Sequence, residues 1–131
     1  MGAKKEVVKF GNFMEEVYGF SQAVKVGDTI HVAGQTAFMA DGSIDGPGDM
    51  ATQMRRAYAN IAEVLAKLGA TMDDVVEETL FVTDYMAAAT VARDVRKEVY
   101  GEAFEVASNL IHIAGLGTPE MLIEIACVAK A

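Results

Sequence analysis

Residues 121–129 read Met121-Leu122-Ile123-Glu124-Ile125-Ala126-Cys127-Val128-Ala129. The run is rich in aliphatic residues and predicts a strand whose alternate positions are apolar on both sides. A strand apolar on both faces belongs in a sheet that water reaches on neither face. The rest of the chain must then supply cover for two faces, and its patterning says how much of that it can do.

Working outward, Asn109 to Ala114 precedes this run across Gly115-Leu116-Gly117-Thr118-Pro119. That spacing predicts a hairpin of the last two strands. Upstream, Glu6 to Phe10 and Gln22 to Val26 read as strands, and Gly27-Asp28 turns the second into Thr29 to Ala33. Residues 40–48 carry Asp41-Gly42 and Gly46-Pro47-Gly48 and read as loop. Asp49 is the expected N-cap of a long helix with Met50, Met54, Ala57, Tyr58, Ile61, Val64, Leu65 and Leu68 on its core face. Gln53, Arg56, Asn60, Glu63 and Lys67 take the opposite face, and Gly69 closes the helix. Val75 to Thr83 reads as a strand. Asp84 caps a second helix over Tyr85 to Tyr100, with Met86, Ala89, Val95 and Val99 as its expected buried stripe and Gly101 as its stop.

The element order predicts an α+β fold, with two helices packed on one face of a mixed six-stranded sheet. The 131 residues make one domain, spanning 1–131, with no repeat or linker. Two helices cover one sheet face, so association between copies is the expected cover for the other.

Composition narrows the function classes. Nineteen acidic against 11 basic residues give a net charge of −8, which argues against a nucleic-acid partner or an anionic membrane surface. The lone cysteine, Cys127, forms no internal disulfide and no thiolate metal site, and His31 and His112 lack metal-ligand spacing. No metal is expected. The N-terminus, with Lys4 and Lys5 and no apolar core of signal-peptide length after them, does not read as a signal peptide, and no run is long enough to span a membrane. The expectation is a reduced, cytoplasmic, soluble protein.

Glu124 stands out among candidate site residues. It alternates with Leu122, Ala126 and Val128 on an otherwise apolar face. An unpaired buried carboxylate is costly, so it needs a partner, a wet pocket or a raised pKa. It either makes a structural hydrogen bond, sits at a strand end in solvent, or lines a working site. His112 shares a face with Leu110 and Ala114. In a hairpin turning around Thr118, His112 would lie opposite Glu124, and such a pair could move protons near neutral pH. That pairing depends on register, and a packed or surface histidine is the plainer reading. Ser108 lies on the same face with no separate base to activate it. Arg93 and Arg96 lie away from the apolar stripe of their helix, as solvated charges or as one cation for a carboxylate ligand. Cys127 reads as a small core residue, and the glycines do not form a phosphate-binding pattern.

Several segments together resemble the reactive intermediate deaminase family (RidA, also called YjgF). They are Tyr18-Gly19-Phe20-Ser21-Gln22-Ala23-Val24, Ile30-His31-Val32-Ala33-Gly34-Gln35, the helix over Gln53 to Leu68, Asp73 to Val76 with Phe81 to Asp84, and Leu122 to Ile125. The resemblance implies a chorismate-mutase-like subunit in a barrel-centred homotrimer, with sites in the clefts between subunits. It implies cofactor-free hydrolysis of imines and enamines such as 2-aminoacrylate to a 2-keto acid and ammonia. In the family, a glutamate holds the attacking water and an arginine grips the substrate carboxylate. The older endoribonuclease label of some members fits poorly with the acidic charge here.

The family glutamate matches Glu124. The family arginine falls on Ser108, or on Ala107 or Asn109 under a one-residue slip, and none of these is arginine. The opening tyrosine becomes Phe20, a cysteine becomes Leu110, a glutamate becomes His112, and an asparagine of the second helix becomes Arg93. Losing a buried bidentate clamp costs about 2–5 kcal/mol of binding. The expected substrate therefore differs from 2-aminoacrylate. Either Arg93 supplies the cation from a new position, or Ser108, Asn109 and His112 bind a neutral group. Glu124 and His112 are the expected catalytic residues, with Tyr18, Phe20, Arg93, Ser108, Asn109 and Leu110 around a small-molecule substrate. The alternative is a trimeric ligand-binding or regulatory protein that kept the cleft without the chemistry.

Overall fold

The computed structural model describes residues 2–131. Strand β1 (Glu6–Val8) leads into a short helix α1 (Phe13–Tyr18), then β2 (Ala23–Val26) and β3 (Thr29–Gln35). Helix α2 (Met50–Ala66) is followed by a single 3-10 turn, then β4 (Val75–Val82), α3 (Tyr85–Tyr100), β5 (Ala107–His112) and β6 (Ile123–Lys130). The six strands form one mixed sheet with α2 and α3 on one face, as expected, and their order is β1-β2-β3-β6-β4-β5. No helix among the described residues is long and apolar enough to cross a membrane.

Both long helices begin at the predicted caps. The Asp49 carboxylate accepts from the Thr52 N–H at 3.1 Å, and Asp84 accepts from the Ala87 N–H at 3.1 Å. The core face of α2 agrees with its sequence pattern, and Met54, Ile61 and Leu65 are fully buried against Ile30, Leu80, Ile123 and Ile125. The phase of α3 differs from expectation. Ala88, Ala92 and Val95 face the core, while Met86 is 70% exposed. Small alanines at that contact let the helix lie close to the sheet and to α2, and Met86 is left on the opposite side.

The short helix α1 was not expected. Asn12 caps it by accepting the Glu15 N–H at 3.0 Å, and Gly19 ends it at φ +72°. Six residues carry too little periodicity to announce a helix, although both caps are legible in the sequence.

The predicted hairpin of the last two strands is a correction. β6 is inserted between β3 and β4, antiparallel to both, and β5 lies beyond β4 as a parallel edge strand. β5 and β6 do run in opposite directions, as in a hairpin, but they are not neighbours. A strand apolar on both faces gains most at the sheet centre, whereas β4-α3-β5 closes as a crossover that brings β5 parallel to β4.

This order sets the two sheet faces. Glu78, Leu80 and Val82 of β4 face the helices with Ile123, Ile125 and Cys127 of β6, while Phe81 pairs with Glu124 on the other face. On that face Ala126 and Val128 are only partly covered and His31 and Ile111 are exposed. Within one chain the second face lacks a covering layer, as the sequence predicted.

Candidate functional site

The pairing of β3 with β6 is interrupted between Val32 and Gln35, where β3 carries one extra residue. The bulge holds Gly34 directly against the side chain of Glu124. A Cβ built on Gly34 would lie 2.7 Å from Glu124 Cγ and 2.7 Å from Oε2, so only glycine lets the carboxyl rest on the backbone there. Glu124 is half-buried, and burial pushes its carboxyl above the ordinary value of 4.5. Its side chain is in no ion pair among the described residues.

Glu124 lines a cavity of about 500 Å³ between the N-terminal segment, the β3 bulge, α2 and the loop before β6. Phe10, Phe20, Phe38 and Met121 make its apolar walls, and Gln22, Gln35 and Asn60 add side-chain amides. Lys9 and Lys67 stand at its mouth, the Lys67 Nζ 5.9 Å from the centre of the Phe10 ring. An apolar chamber with a few convergent polar groups is the usual form of a small-ligand site. A carboxyl held above its ordinary pKa at such a wall can exchange protons nearer neutrality than a solvated one.

Gly34→Ala is expected to leave the fold intact and to push Glu124 out of its seat toward water. A carbon-13 NMR titration of the Glu124 carboxyl should then show its pKa falling toward 4.5, the ordinary value. An unmoved titration would mean that the bulge does not set the position of Glu124.

Of the residues expected at the site, Glu124 and Phe20 line this cavity. Tyr18 is 70% exposed at the end of α1 and points elsewhere. The expected His112–Glu124 pair is not made. His112 is in register with Val82 on the helix-facing side, Glu124 with Phe81 on the other, and β4 separates them. The intervening strand spaces the pair, and the one-residue offset between their partners on β4 turns them to opposite faces. Asn109 lies exposed on the β5 edge, and Leu110 packs against the core. The guanidinium of Arg93 sits 5.0 Å from the centre of the Phe104 ring, a cation–π contact away from the cavity.

The cation beside Ser108 is Arg96. Its Nη2 donates to Ser108 Oγ at 2.7 Å and its Nε to Glu78 Oε2 at 2.8 Å. Glu78 is fully buried and accepts two more bonds at Oε1, from Tyr58 and Tyr100 hydroxyls at 2.7 Å each. Ser108 Oγ donates to Glu78 Oε2 at 2.6 Å. Burial and the adjacent Glu78 charge push both tyrosine hydroxyls above the ordinary phenol range. Sequence reading missed this cluster. Its one signal was Glu78 alternating with Leu80 and Val82, the same acid-on-an-apolar-face pattern that singled out Glu124.

Gln53 also departs from expectation. Placed on the solvent face of α2 by periodicity, it is fully buried, donating to the carbonyls of Gly46 (3.1 Å) and Glu120 (2.8 Å) and accepting the Leu122 N–H (2.9 Å). It ties the loop before α2 to the segment entering β6, which no helical period can announce.

The family model described as endoribonuclease L-PSP matches residues 11–131. A RutC family protein from Pyrococcus abyssi is 31% identical over 125 residues, covering 95% of this chain and 96% of that protein. The crystal structure of Rv2704 from Mycobacterium tuberculosis, a member of the YjgF/YER057c/UK114 family, superposes with a TM-score of 0.85 at 31% identity, covering 98% of this chain and 100% of that one. RidA from the Antarctic bacterium Psychrobacter sp. PAMC 21119 superposes with a TM-score of 0.76 at 25% identity, covering 86% and 89% of the two chains.

Proposed function

The chain belongs to the endoribonuclease L-PSP family, the YjgF/Rid group, and from that membership we propose that it hydrolyses a reactive imine or enamine in the cavity beside Glu124. The observation that carries the reading is the seat of Glu124: half-buried, its carboxyl above its ordinary pKa, and set on Gly34 at the wall of a small-ligand chamber. Its carboxylate would accept a proton from water as the oxygen adds to the C=N carbon. The carbinolamine so formed would collapse to a carbonyl compound and ammonia, with the proton returned to the leaving nitrogen. An enamine would first tautomerise to the imine. Water is the only co-reactant, and no cofactor enters.

The open face of the sheet and the exposed β5 edge support assembly as a homotrimer with the cleft closed by a neighbouring copy. Asn109 and His112 would then approach the ligand from that copy's β5, whereas the Ser108 hydroxyl is engaged by Arg96 and Glu78. Because Arg96 is already paired with Glu78, the reading favours a substrate without a carboxylate over 2-aminoacrylate. The separation of His112 from Glu124 within the chain favours a second reading, a ligand-binding protein of the same fold without turnover.

Imines generated by an amino-acid oxidase and by an amine oxidase, with semicarbazide trapping what remains, separate the two. Loss of trapped imine in proportion to protein supports hydrolysis, and faster loss with the neutral amine-derived panel supports the substrate class. No loss with either panel, together with saturable binding of a small ligand, moves the assignment to the second reading.

A further inference from the structure

The cavity wall has a hydrogen-bonding polarity that is set from outside it. Glu15 is buried, and its carboxylate accepts from the Phe10 N–H (2.7 Å), the Gly11 N–H (2.9 Å) and Gln22 Nε2 (2.8 Å). Burial alone would raise its pKa, but these donors together hold it below the ordinary value, so Glu15 is an acceptor only. That fixes the orientation of the next group. Gln22 must turn its NH₂ to Glu15, which leaves its Oε1 toward Gln35. Gln35 must in turn offer its own NH₂, donating to Gln22 Oε1 at 2.8 Å and to the Ala33 carbonyl at 3.1 Å.

Both Nε2 hydrogens of Gln35 are thereby engaged, and its Oε1 has no protein partner among the described residues. Gln35 is 6% exposed and lines the cavity. No fully enclosed side-chain nitrogen or oxygen among the described residues lacks a partner, so this oxygen keeps accessible surface on a side chain that lines the chamber. Asn60 repeats the pattern: its Nδ2 donates to the carbonyls of Thr36 (2.9 Å) and Phe38 (2.8 Å), and its Oδ1 is left over. An amide that could turn over would read donors and acceptors alike. Here the Glu15 carboxylate forbids the turn, because a reversed Gln22 would set oxygen against oxygen.

We propose that Gln35 Oε1 is a specificity-determining acceptor that takes an N–H from the nitrogen end of the bound small molecule and seats that end on the β3 bulge beside Glu124, with Glu15 and Gln22 acting as positioning residues. The ligand class is a compact molecule with an N–H group, such as an imine, amine or primary amide. The proposal deepens the imine reading where turnover occurs, but donor selectivity holds equally for a protein that only binds.

The test uses isobutyramide and N,N-dimethylisobutyramide, neutral probes that share a carbonyl acceptor and differ in N–H donors, titrated into the full chain and followed by amide proton–nitrogen shifts. The wild type should bind isobutyramide about tenfold or more tightly than its dimethyl analogue, as expected for one buried hydrogen bond. Gln35→Met should bring the two within about twofold. In the wild type, the Gln35 Cδ resonance should move downfield with isobutyramide alone, a readout that needs no variant to fold. Equal or undetectable binding of the two probes to the wild type would overturn the proposal. So would discrimination that survives in Gln35→Met, which would mark it as steric. Failure of imine hydrolysis with donor selectivity retained would overturn the catalytic reading and leave this one standing.

Discussion

Glu124→Gln should lower the rate of imine hydrolysis by about 10²–10⁴-fold, the usual worth of a positioned general base, with the fold and assembly unchanged. The amide keeps the shape that rests on Gly34 but cannot take a proton from water. The pH dependence carries the same signature. Burial raises the Glu124 carboxyl above 4.5, and the basic form is the working one. The rate should therefore climb with pH through an acid limb lying above 4.5, and that limb should vanish in the variant. Stability should move the other way. A carboxyl whose folded pKa is raised binds protons more tightly folded than unfolded, so its ionisation removes stability as pH rises through the window above the unfolded value. At neutral pH the variant should therefore melt no lower than the wild type. Unchanged turnover in a well-folded variant would sink the catalytic assignment of Glu124.

Arg96→Ala should cost about 3–5 kcal/mol of stability, because it strands a buried carboxylate, and should lower Tm by roughly 10–20 °C in a domain of this size. Glu78 would keep the bonds from Tyr58, Tyr100 and Ser108 but lose the one cation paired with it among the described residues. The Arg96 side chain is 20% exposed, so entering water would soften the loss and place it toward the lower end of that range. Replacing both ions, as Glu78→Leu with Arg96→Met, should recover part of the difference, since a buried pair stabilises little beyond what its desolvation costs. The two tyrosine hydroxyls, left without their acceptor, limit that recovery. Thermal unfolding of the three variants side by side measures this coupling. A single variant that melts with the wild type would show that the cluster holds nothing together.

The comparison of Glu124 with Glu78 shows how far the sequence reaches. Both are acids alternating with aliphatic residues on a strand, and both patterns are visible without coordinates. Glu124 meets a cavity and a glycine. Glu78 meets two tyrosines, an arginine and a serine that arrive from α2, α3 and β5. The pattern marks that a partner is needed, and it says nothing about which. Glu124 and Phe20, both placed by the family motifs, line the cavity, and so do Gln22 and Gln35, which lie in the same motifs although no motif states what they do. Their function depends on Glu15, seven and 20 residues upstream respectively, and on which way two amides are turned.

What the sequence determined by itself was the α+β class, both long helices with their Asp49 and Asp84 caps, the six strands, and the two-sided apolarity of β6. Each of these is written in a period of 2 or 3.6 residues or in a cap within one turn, so a short window contains the whole cause. The tertiary structure alone decided that β6 lies between β3 and β4 and that His112 and Glu124 face opposite ways. It also decided that Met86 is exposed and that Gln53 and Glu78 are buried. Strand neighbours and helix phase are settled by the total packing of segments far apart in the chain. A strand's own pattern fixes what each face is like, but the choice of neighbour belongs to the sheet as a whole.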